Sequence, residues 1–452
     1  MEKRERKQPN YFIHVAMTDI KRMQQATQLI FSIYIWFCLA MLVLYLPRII
    51  YYFFGFRKQK KLVSDKKNKI AVIIPARNES SVIVDCLNSL TVQCYDKEFF
   101  DIHIVVADES DPTVDIAKKH DRTYITVVEN QTSKGEALDG VLKKILKETP
   151  DKYDAFLFVD ADNLAATDLL TEMNNALASG KQIICAKKHV KNWKSRLKKS
   201  RSFVANCTGL IYTMVDELGN KARNKFNSPV TVIGTGVMVK ACVIKELDGW
   251  PFRTLTEDYE LTAEAIVRGY SSMYYSFARV YTEEATDRKT ASIRKMRWVK
   301  GHVETKRKYR GEIFKKAFTG KISFLNIGFV FGTLPFSMFC GISLVAFIYG
   351  LIAIGFMIAG SVALITALLM ALMPIALVYG SLFIYTFIIL LVDRKAITIP
   401  VMSKIALLFF HPFFAWGYFP IYIKSYLTHK DSLKWQATNR VPFESKEEQH
   451  FL

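Results

Sequence analysis

The chain has 452 residues, 50% of them hydrophobic and 23% charged, and 62 Lys and Arg against 42 Asp and Glu give a formal net charge of +20. Disordered chains are poor in apolar residues, so this composition excludes disorder, and the charged fraction excludes a pure bundle of membrane helices. Seven cysteines without a C-x-x-C pair argue against a disulfide scaffold or a cysteine-based zinc site. The combination of high hydrophobicity and high charge predicts that a strongly apolar region and a charged region share one chain.

The N-terminal region predicts a membrane anchor. Apolar residues recur at helical spacing beside Lys21 and Arg22 within residues 1–27, which is typical of an amphipathic helix at a lipid surface; a solvated tail is the alternative. The next segment, residues 28–56, contains 18 consecutive uncharged residues at positions 29–46. A bilayer-crossing helix needs about 20 apolar residues, and no small-residue cleavage signal follows, so we expect a retained transmembrane helix.

Residues 57–321 alternate strand-like and helix-like segments. The buried-strand runs are residues 70–74, 102–106, 124–128 and 155–159. The helix-like segments between and after them are residues 80–91, 113–120, 135–147 and 167–179. This alternation predicts an α/β domain with a mostly parallel sheet, helices on both faces and ligands at the carboxyl ends of the strands. The basic run around Trp193 predicts a loop in solvent or at the membrane face.

Two carboxylates follow the strand-like run at residues 155–159. Asp160 and Asp162 alternate along the chain, so their side chains lie near one point where the strand becomes a loop. Hard oxygen ligands at a strand end suit Mg²⁺ or Mn²⁺ bridging a diphosphate. A turn or a helix N-cap is the alternative interpretation, because Asp and Asn also favour those positions.

Two further motifs combine charged and aromatic residues. Thr256-Glu257-Asp258 precedes an apolar helical pattern, and a helix start holds a carboxylate rigidly, as a catalytic base requires. Further along, an arginine such as Arg297 neutralises a leaving diphosphate, and the face of Trp298 stacks on a sugar. A plain helix start and a basic membrane-proximal helix are the alternatives.

The C-terminal region predicts a cluster of membrane helices. Residues 322–392 contain no Asp, Glu, Lys, Arg or His, and a second apolar run, residues 405–423, is interrupted only by His411. We expect three or four membrane helices within residues 322–424, because a soluble core does not need such runs. Four spans would cover residues 322–340, 342–359, 364–391 and 405–423, and three spans with one interfacial helix are the alternative. Residues 425–452 are expected to form a cytosolic tail.

The net positive charge does not predict a nucleic-acid partner. The basic residues concentrate at the edges of the apolar segments, and no recognition-helix, zinc-finger or RNA-binding signature occurs. Attraction to anionic membrane lipids explains these flanks. Seven Lys and Arg lie within residues 57–69, which favours a cytosolic position for the central block, although the N-terminal tail is also basic.

Six short motifs in this order carry a resemblance to a known family. They are Pro75-Ala76-Arg77-Asn78-Glu79, Asp108-Glu109-Ser110, Lys134-Gly135-Glu136-Ala137-Leu138, Asp160-Ala161-Asp162, Thr256-Glu257-Asp258 and Arg294-Lys295-Met296-Arg297-Trp298. The chain resembles the membrane-integrated family 2 glycosyltransferases, which include cellulose, poly-N-acetylglucosamine and hyaluronan synthases. The resemblance implies an α/β GT-A-like nucleotide-sugar domain fused to an α-helical transmembrane region, a cytosolic active site and a UDP-sugar donor.

The resemblance also implies roles for individual residues. The expected donor and nucleotide contacts are Pro75, Glu79, Asp108, Lys134, Asp160 and Arg294. The expected metal ligands for Mg²⁺ or Mn²⁺ are Asp160 and Asp162. The expected catalytic residues are Asp258, as the general base, with Glu257, Arg297 and Trp298. The expected acceptor site contains Gly234, Thr235, Gly236 and Trp298. The tail resembles a gating segment at Lys434, Trp435, Thr438 and Arg440.

Two positions depart from the family pattern. Arg294 stands where the family has Gln, which changes a contact associated with processive enzymes, and Glu109 stands where many members have Asp. Neither change removes the expected base or the pair of metal-binding carboxylates.

The function implied by these motifs is a processive polysaccharide synthase of the plasma membrane. It would transfer a hexose from a UDP-sugar, UDP-glucose first and UDP-N-acetylglucosamine next, to a growing β-linked glycan such as a β-glucan, with inversion, and pass the polymer through the membrane. A non-processive enzyme that adds one sugar to a lipid or lipid-linked acceptor is the main alternative, and a catalytically idle membrane scaffold is another. Expected partners are the growing polysaccharide, membrane lipids, and accessory subunits or a second copy of the chain.

Overall fold

The computed structural model describes residues 8–55, 58–193, 202–332, 334–356 and 362–428. The chain divides into two compact units. The α/β unit takes its described residues from 51–330, 388–407 and 420–452, and the apolar unit from 1–50, 331–387 and 408–419. The predicted tail residues Lys434, Trp435, Thr438 and Arg440 lie outside the described residues.

The α/β unit is built on one mixed sheet, which has eight strands within the described residues. These are β1 (Ile70–Pro75), β2 (Phe100–Val106), β3 (Thr123–Val127), β4 (Ala155–Phe158), β5 (Leu164–Ala165), β6 (Ile183–Val190), β7 (Val237–Lys240) and β8 (Ser272–Thr282). Their order across the sheet is β3-β2-β1-β4-β7-β6-β8-β5. The first four strands are parallel, as the apolar runs predicted.

The second half of the sheet does not follow the predicted parallel pattern. Strand β7 pairs antiparallel with both β4 and β6, and β5 pairs antiparallel with β8, whereas β6 and β8 are parallel. Strand β7 has only four residues and β5 only two, so neither gives a recognisable run in the sequence. The sheet is therefore mixed, and its mixed half starts beside the strand that precedes Asp160.

The helices in chain order are α1 (Gln8–Gly55), α2 (Ile83–Thr91), α3 (Thr113–Ala117), α4 (Lys134–Glu148), α5 (Leu169–Leu177), α6 (Phe203–Thr213), α7 (Lys221–Lys225), α8 (Ala241–Glu246), α9 (Glu257–Arg268), α10 (Arg288–Phe318), α11 (Ile327–Phe331), α12 (Leu334–Phe356), α13 (Val362–Val392), α14 (Val401–Trp416) and α15 (Tyr418–Leu427). A π-helical segment, Met214–Asn220, joins α6 to α7. Short 3₁₀ turns lie at Lys97–Phe99, Lys191–Trp193 and Phe324–Asn326.

The sheet is covered by helices on both faces because its central strands are apolar on both sides. Alternate residues of β1 belong to two different cores: Val72 packs in the core that includes α2 and α5, and Ile73 in the core that includes α4 and α9. Burial on both faces is typical of parallel strands in α/β proteins. The predicted α/β domain with helices on both faces of the sheet is confirmed by this architecture.

Four helical segments of the described chain are long and apolar enough to cross a membrane: residues 17–43, 338–355, 364–392 and 401–427. Helix α1 continues without a break through the boundary expected between residues 27 and 28. The expected span at residues 322–340 differs from the observed helices. Gly320 and Gly332 both adopt positive φ, which ends a helix, so α11 is too short to cross a membrane. Helix α12 is the first helix after residue 321 that is long and apolar enough to do so.

Polar side chains pair between helices inside the apolar unit. The Tyr34 and Ser343 hydroxyls lie 3.0 Å apart between α1 and α12. The Thr386 hydroxyl and the His411 ring nitrogen Nδ1 lie 2.8 Å apart between α13 and α14. In a bilayer the hydrophobic effect does not drive helices together, because lipid tails are as apolar as the side chains. Hydrogen bonds between helices contribute to their association instead. His411, which the sequence placed in an apolar run, is thus a packed side chain.

Candidate active site

The loop after β4 brings the carboxylate pair to the carboxyl edge of the sheet. The backbone N–H of Asp160 donates to the Thr235 hydroxyl at 3.1 Å, which ties this loop to the loop before β7. The Asp160 carboxylate is half-exposed and accepts a 2.6 Å contact from the Lys134 ammonium. Asp162 is buried, with 7% of its surface exposed, and its carbonyl oxygen lies 3.4 Å from Lys191 Nζ. Two carboxylates of different exposure therefore share one loop.

The start of α9 brings Asp258 to the same loop. Asp258 lies in the first helical turn, and its carboxylate accepts a hydrogen bond from the backbone N–H of Gly234. Gly234 has φ of +66°, a conformation that favours glycine. A Cβ at this position would stand 3.9 Å from Asp160 Oδ2 and 4.0 Å from Asp258 Oδ2. The carboxylates of Asp160 and Asp258 thus converge on the open side of Gly234.

Lys134 connects these acidic groups. It is the first residue of α4, whose N-cap Ser133 accepts from the N–H of Glu136. The Lys134 ammonium contacts Asp160 at 2.6 Å and Glu257 at 3.4 Å. These groups line a cavity. Its polar lining comes from Lys134, Gly234, Glu257 and Asp258, and its aromatic lining from Phe158 and Trp250. The Lys134 ammonium therefore lies between the carboxylate loop and the start of α9.

The next residue, Gly135, explains how α4 comes so close. A Cβ at Gly135 would lie 2.2 Å from the carbonyl oxygen of Phe252, so only glycine permits this contact between α4 and the segment that leads to α9. The close approach brings Lys134 within reach of Glu257.

Burial shifts the proton affinities of these groups. Burial raises the pKa of Glu257 to about 7; Asp258 adds to the rise and Lys134 opposes it. Burial alone would lower the pKa of Lys134, but the carboxylates of Asp160 and Glu257 outweigh it and raise that pKa. Burial, together with the charge of Arg294, lowers the pKa of Arg297, while Glu257, Asp258 and Asp160 favour its charged form. The site thus combines attraction between Lys134 and the carboxylates with repulsion within the acidic pair 257–258 and between the two arginines of α10.

Helix α10 carries the predicted arginines and the tryptophan. Asp287 caps its N-terminus by accepting from the N–H of Thr290. The Arg294 guanidinium lies 5.7 Å from the ring centre of Trp298, and the Tyr212 ring meets Trp298 edge-on at 6.3 Å. Trp298 is therefore bounded by a cation on one side and an aromatic ring on another.

Glycine also brings α10 against α9. A Cβ at Gly301 would stand 2.4 Å from the Thr256 hydroxyl oxygen, so the two helices touch at the residue that precedes Glu257. This contact sets the distance between the arginines of α10 and the carboxylates at the start of α9.

The predicted nucleotide contacts lie at the ends of two adjacent parallel strands. Pro75 ends β1 and stands opposite Val105 of β2. Glu79 follows β1, and the exposed Asp108 follows β2. Hydrogen bonds from the backbone N–H and the hydroxyl of Ser110 lower the pKa of Asp108, so its carboxylate is charged at neutral pH. The structure brings these three residues to one sheet edge; the roles assigned to them stay predictions.

The sequence interpretation missed three buried groups beside Asp162. Lys191 lies in the 3₁₀ turn after β6, and its ammonium is 3.0 Å from Glu283 Oε2. Glu283 and Glu284 follow β8, where their carboxylates are buried. The local sequence gives no signal for these groups, because their burial depends on β6 and β8 being neighbours in the sheet.

The prediction of a solvated or membrane-facing loop around Trp193 is wrong for its first residues. Lys191 is 6% exposed and Trp193 3% exposed. They are buried because the turn packs onto α6, where a Cβ at Gly209 would lie 2.5 Å from the Trp193 ring. Residues 194–201 lie outside the described chain.

The acidic pair fits a divalent cation that arrives with a diphosphate. Among the described residues, no three His, Cys, Asp or Glu side chains are grouped so as to hold a metal by themselves. Asp160 and Asp162 supply hard carboxylate oxygens, and Mg²⁺ is commonly held by one or two carboxylates with substrate phosphates completing the shell. The donor set therefore fits Mg²⁺ or Mn²⁺ bound together with a nucleotide.

The comparisons with known proteins agree with this geometry. The sequence profile of the family described as "Glycosyltransferase like family 2" matches residues 67–301, more than half of the chain. The chain is a glycosyltransferase with a GT-A fold, and it belongs to this family. The resemblance predicted from the motifs is confirmed at the level of the family and the enzyme class.

Individual relatives are distant. A probable glycosyltransferase of Bacillus subtilis strain 168, YdaM, is 24% identical over 254 residues, which are 55% of this chain and 58% of the relative. A poly(ribitol-phosphate) beta-glucosyltransferase of Bacillus spizizenii is 29% identical over 108 residues, which are 24% of this chain and 17% of the relative. The chain thus spans well under two thirds of the length of these relatives.

The fold is also found in a solved structure that matches most of the chain. The mannosyltransferase PcManGT from Pyrobaculum calidifontis, in complex with GDP-Man and Mn²⁺, superposes with a TM-score of 0.52 and 16% identity. The match covers 89% of this chain and 100% of that protein. At this identity the likeness establishes the fold.

Proposed function

We propose that the protein is an inverting, metal-dependent polysaccharide synthase that transfers a hexose from a UDP-sugar to the end of a growing β-linked glycan. The observation that carries the proposal is the convergence of Asp160 and Asp258 on Gly234, with Lys134 between the two acidic loops. A single base beside a cationic diphosphate site suits direct displacement at the anomeric carbon.

In this mechanism Asp258 accepts the proton of the acceptor hydroxyl while its oxygen attacks the anomeric carbon. The bond from that carbon to the UDP oxygen breaks, so an α-linked donor gives a β-linked product. Lys134 and Arg297 balance the negative charge that develops on UDP. A divalent cation held by Asp160 and Asp162 supplies Lewis-acid stabilisation of the diphosphate when it is bound. Gly234 and Trp298, which are partly exposed, receive the acceptor, while Thr235 and Gly236 are buried and support the loop that carries Gly234.

The remaining donor contacts are assigned by position. Pro75, Glu79 and Asp108 lie at the ends of β1 and β2, where a uridine would rest. Arg294 is close enough to Asp162 for the two charges to interact, which places it near the diphosphate. Glu257 precedes Asp258 in the first turn of α9 and shares the Lys134 ammonium with Asp160, so it links the base to the carboxylate loop. These roles explain why titratable groups with shifted pKa values gather at one sheet edge.

We assign the α/β domain, residues 57–321, to the cytosolic face of the plasma membrane. The apolar segments 28–56 and 322–424 anchor it and provide a path for the polymer, and the terminal segments 1–27 and 425–452 remain on the lipid surface and in the cytosol. The basic residues 57–69 support this orientation.

The second candidate is a non-processive transferase that adds one sugar to a lipid or lipid-linked acceptor. Arg294 favours it, because this residue replaces the Gln of the processive pattern and its guanidinium stands against Trp298. UDP-glucose is the first donor to test, which the glucosyltransferase named among the relatives supports, and UDP-N-acetylglucosamine is the next.

A donor panel tests the proposal. The full chain in lipid vesicles is incubated with Mg²⁺ or Mn²⁺ and radiolabelled UDP-glucose, UDP-N-acetylglucosamine, UDP-glucuronate or GDP-mannose. Long polymer cut by a β-linkage-specific hydrolase is the expected result. A short glycolipid would replace the first candidate by the second, and background incorporation with every donor would contradict both.

A further inference from the structure

We propose that Glu284 is a positioning residue of the transfer reaction, whose carboxylate balances Arg294 and holds it against Trp298. The inference rests on the proposed function, because it takes Trp298 as the surface that receives the acceptor sugar. Nothing in the six sequence motifs includes Glu284, which follows β8 by two positions.

The backbone of Glu284 is fixed by a reciprocal pair of hydrogen bonds. Its N–H donates to Asn192 Oδ1 at 2.9 Å, and Asn192 Nδ2 donates to the Glu284 carbonyl at 3.1 Å. Asn192 is itself 1% exposed. The two chain segments after β6 and β8 therefore hold the Glu284 backbone in one place.

The Glu284 carboxylate contacts both polar neighbours of Trp298. Its Oε2 lies 3.8 Å from Arg294 Nη1. Burial raises the pKa of Glu284, while the charge of Arg294 and a hydrogen bond from Tyr212 favour its ionised form. Arg294 and Tyr212 are also the two groups that bound the Trp298 ring, at 5.7 Å and 6.3 Å. One buried carboxylate thus touches both supports of the tryptophan.

Arg294 needs this counter-charge because it is largely withdrawn from solvent. Its side chain is 16% exposed, and besides the ion pair its Nη1 donates to the Glu283 carbonyl at 3.3 Å. Removing one partner of a buried pair leaves the other charge unbalanced, which costs more than the pair itself contributes. Without Glu284, Arg294 would turn toward other carboxylates and leave the face of Trp298.

A double-mutant cycle tests this role. Glu284→Gln keeps the side-chain size and removes the negative charge, Arg294→Gln shortens the side chain and removes the positive charge, and the double variant combines both changes. We expect Glu284→Gln to lower kcat/KM for the acceptor roughly tenfold and to change the affinity for UDP less than about twofold. Arg294→Gln should lower the acceptor kcat/KM at least as much, because it removes the supported cation itself and also a proposed donor contact. In the double variant, adding Glu284→Gln to Arg294→Gln should lower kcat/KM by less than about threefold further, because no arginine is left for Glu284 to position. Effects of the two single changes that simply multiply would contradict the proposal.

The matched control is another buried carboxylate paired with arginine. Asp101 is fully buried at the opposite end of the parallel strands, 2.5 Å from Arg122 Nη2. Asp101→Asn should lower the melting temperature and leave the acceptor KM unchanged. Equal losses of acceptor kcat/KM in Asp101→Asn and Glu284→Gln would mean a general loss of structure and would overturn the positioning role.

A second readout needs no substrate and separates this inference from the proposed function. The difference in fluorescence between the parent and Trp298→Phe isolates the signal of Trp298. Glu284→Gln should increase the acrylamide quenching of that signal, and Asp101→Asn should not. Unchanged quenching in Glu284→Gln would refute the positioning role even if sugar transfer is observed, whereas a missing transferase activity refutes only the proposed function.

Discussion

Replacing Gly301 with alanine would push α10, which carries Arg297 and Trp298, away from the start of α9, which carries Asp258. The new Cβ would stand 2.4 Å from Thr256 Oγ1, 2.7 Å from Thr256 Cγ2 and 2.8 Å from the Thr256 backbone nitrogen. The backbone nitrogen cannot rotate aside as a flexible side chain does. The two helices must therefore separate locally.

The magnitude follows from the required displacement. Ordinary contacts of a Cβ begin at 3.4 Å, so relief of the shortest contact needs a shift on the order of 1 Å. Overpacking of this kind costs about 1–3 kcal/mol of stability. A misplacement of about 1 Å between catalytic groups can lower the rate about 10²-fold. We expect Gly301→Ala to lower both the melting temperature and kcat.

The assay compares two alanine variants of the same helix. A Cβ at Gly311 would meet nothing within 4 Å, so Gly311→Ala should keep full activity and gain up to about 1 kcal/mol through helix propensity. Thermal unfolding in detergent and UDP-sugar turnover in vesicles are measured for both. If Gly301→Ala matches Gly311→Ala in melting temperature and turnover, the reasoning about the contact between α9 and α10 is refuted.

Two further predictions concern the acidic residues. Asp162→Asn should weaken Mn²⁺-dependent UDP binding about tenfold or more, because one of two hard ligands loses its charge; calorimetry with equal affinity in both proteins would contradict this. Glu257 has a pKa of about 7 in the folded protein against 4.5 ordinarily, so its contribution to stability is present at low pH and is lost as the pH rises through about 7. Glu257→Gln should remove this part of the pH dependence of the melting temperature, and superimposable pH profiles would argue against it.

Much of the α/β unit was predictable, because the sequence patterns that indicate its strands and helices are local. The apolar run before Asp160 is central strand β4, buried on both faces, and such strands leave a continuous apolar pattern. The start of α9 at Glu257 was predicted from the Thr-Glu-Asp pattern before an apolar helix. In both cases the neighbouring residues alone determine the element.

The missed features depend on contacts between distant parts of the chain. Strand β7 has only four residues, and its position in the sheet is set by antiparallel pairing with β4 and β6. Lys191 and Glu283 come together only because β6 and β8 are parallel neighbours that end side by side. Sequence periodicity carries no information on which strands become neighbours, so these buried charges were not found.

The most direct test of the account is the Asp258→Asn variant, measured for both sugar transfer and UDP binding. General-base catalysis is worth about 10²–10⁴-fold, so kcat should fall by at least that factor while the calorimetric affinity for UDP with Mn²⁺ stays within about twofold. The variant keeps the volume of the side chain beside Gly234. A variant that retains most of its transfer activity, or one that loses UDP binding together with turnover, would contradict the assignment of Asp258 as the base.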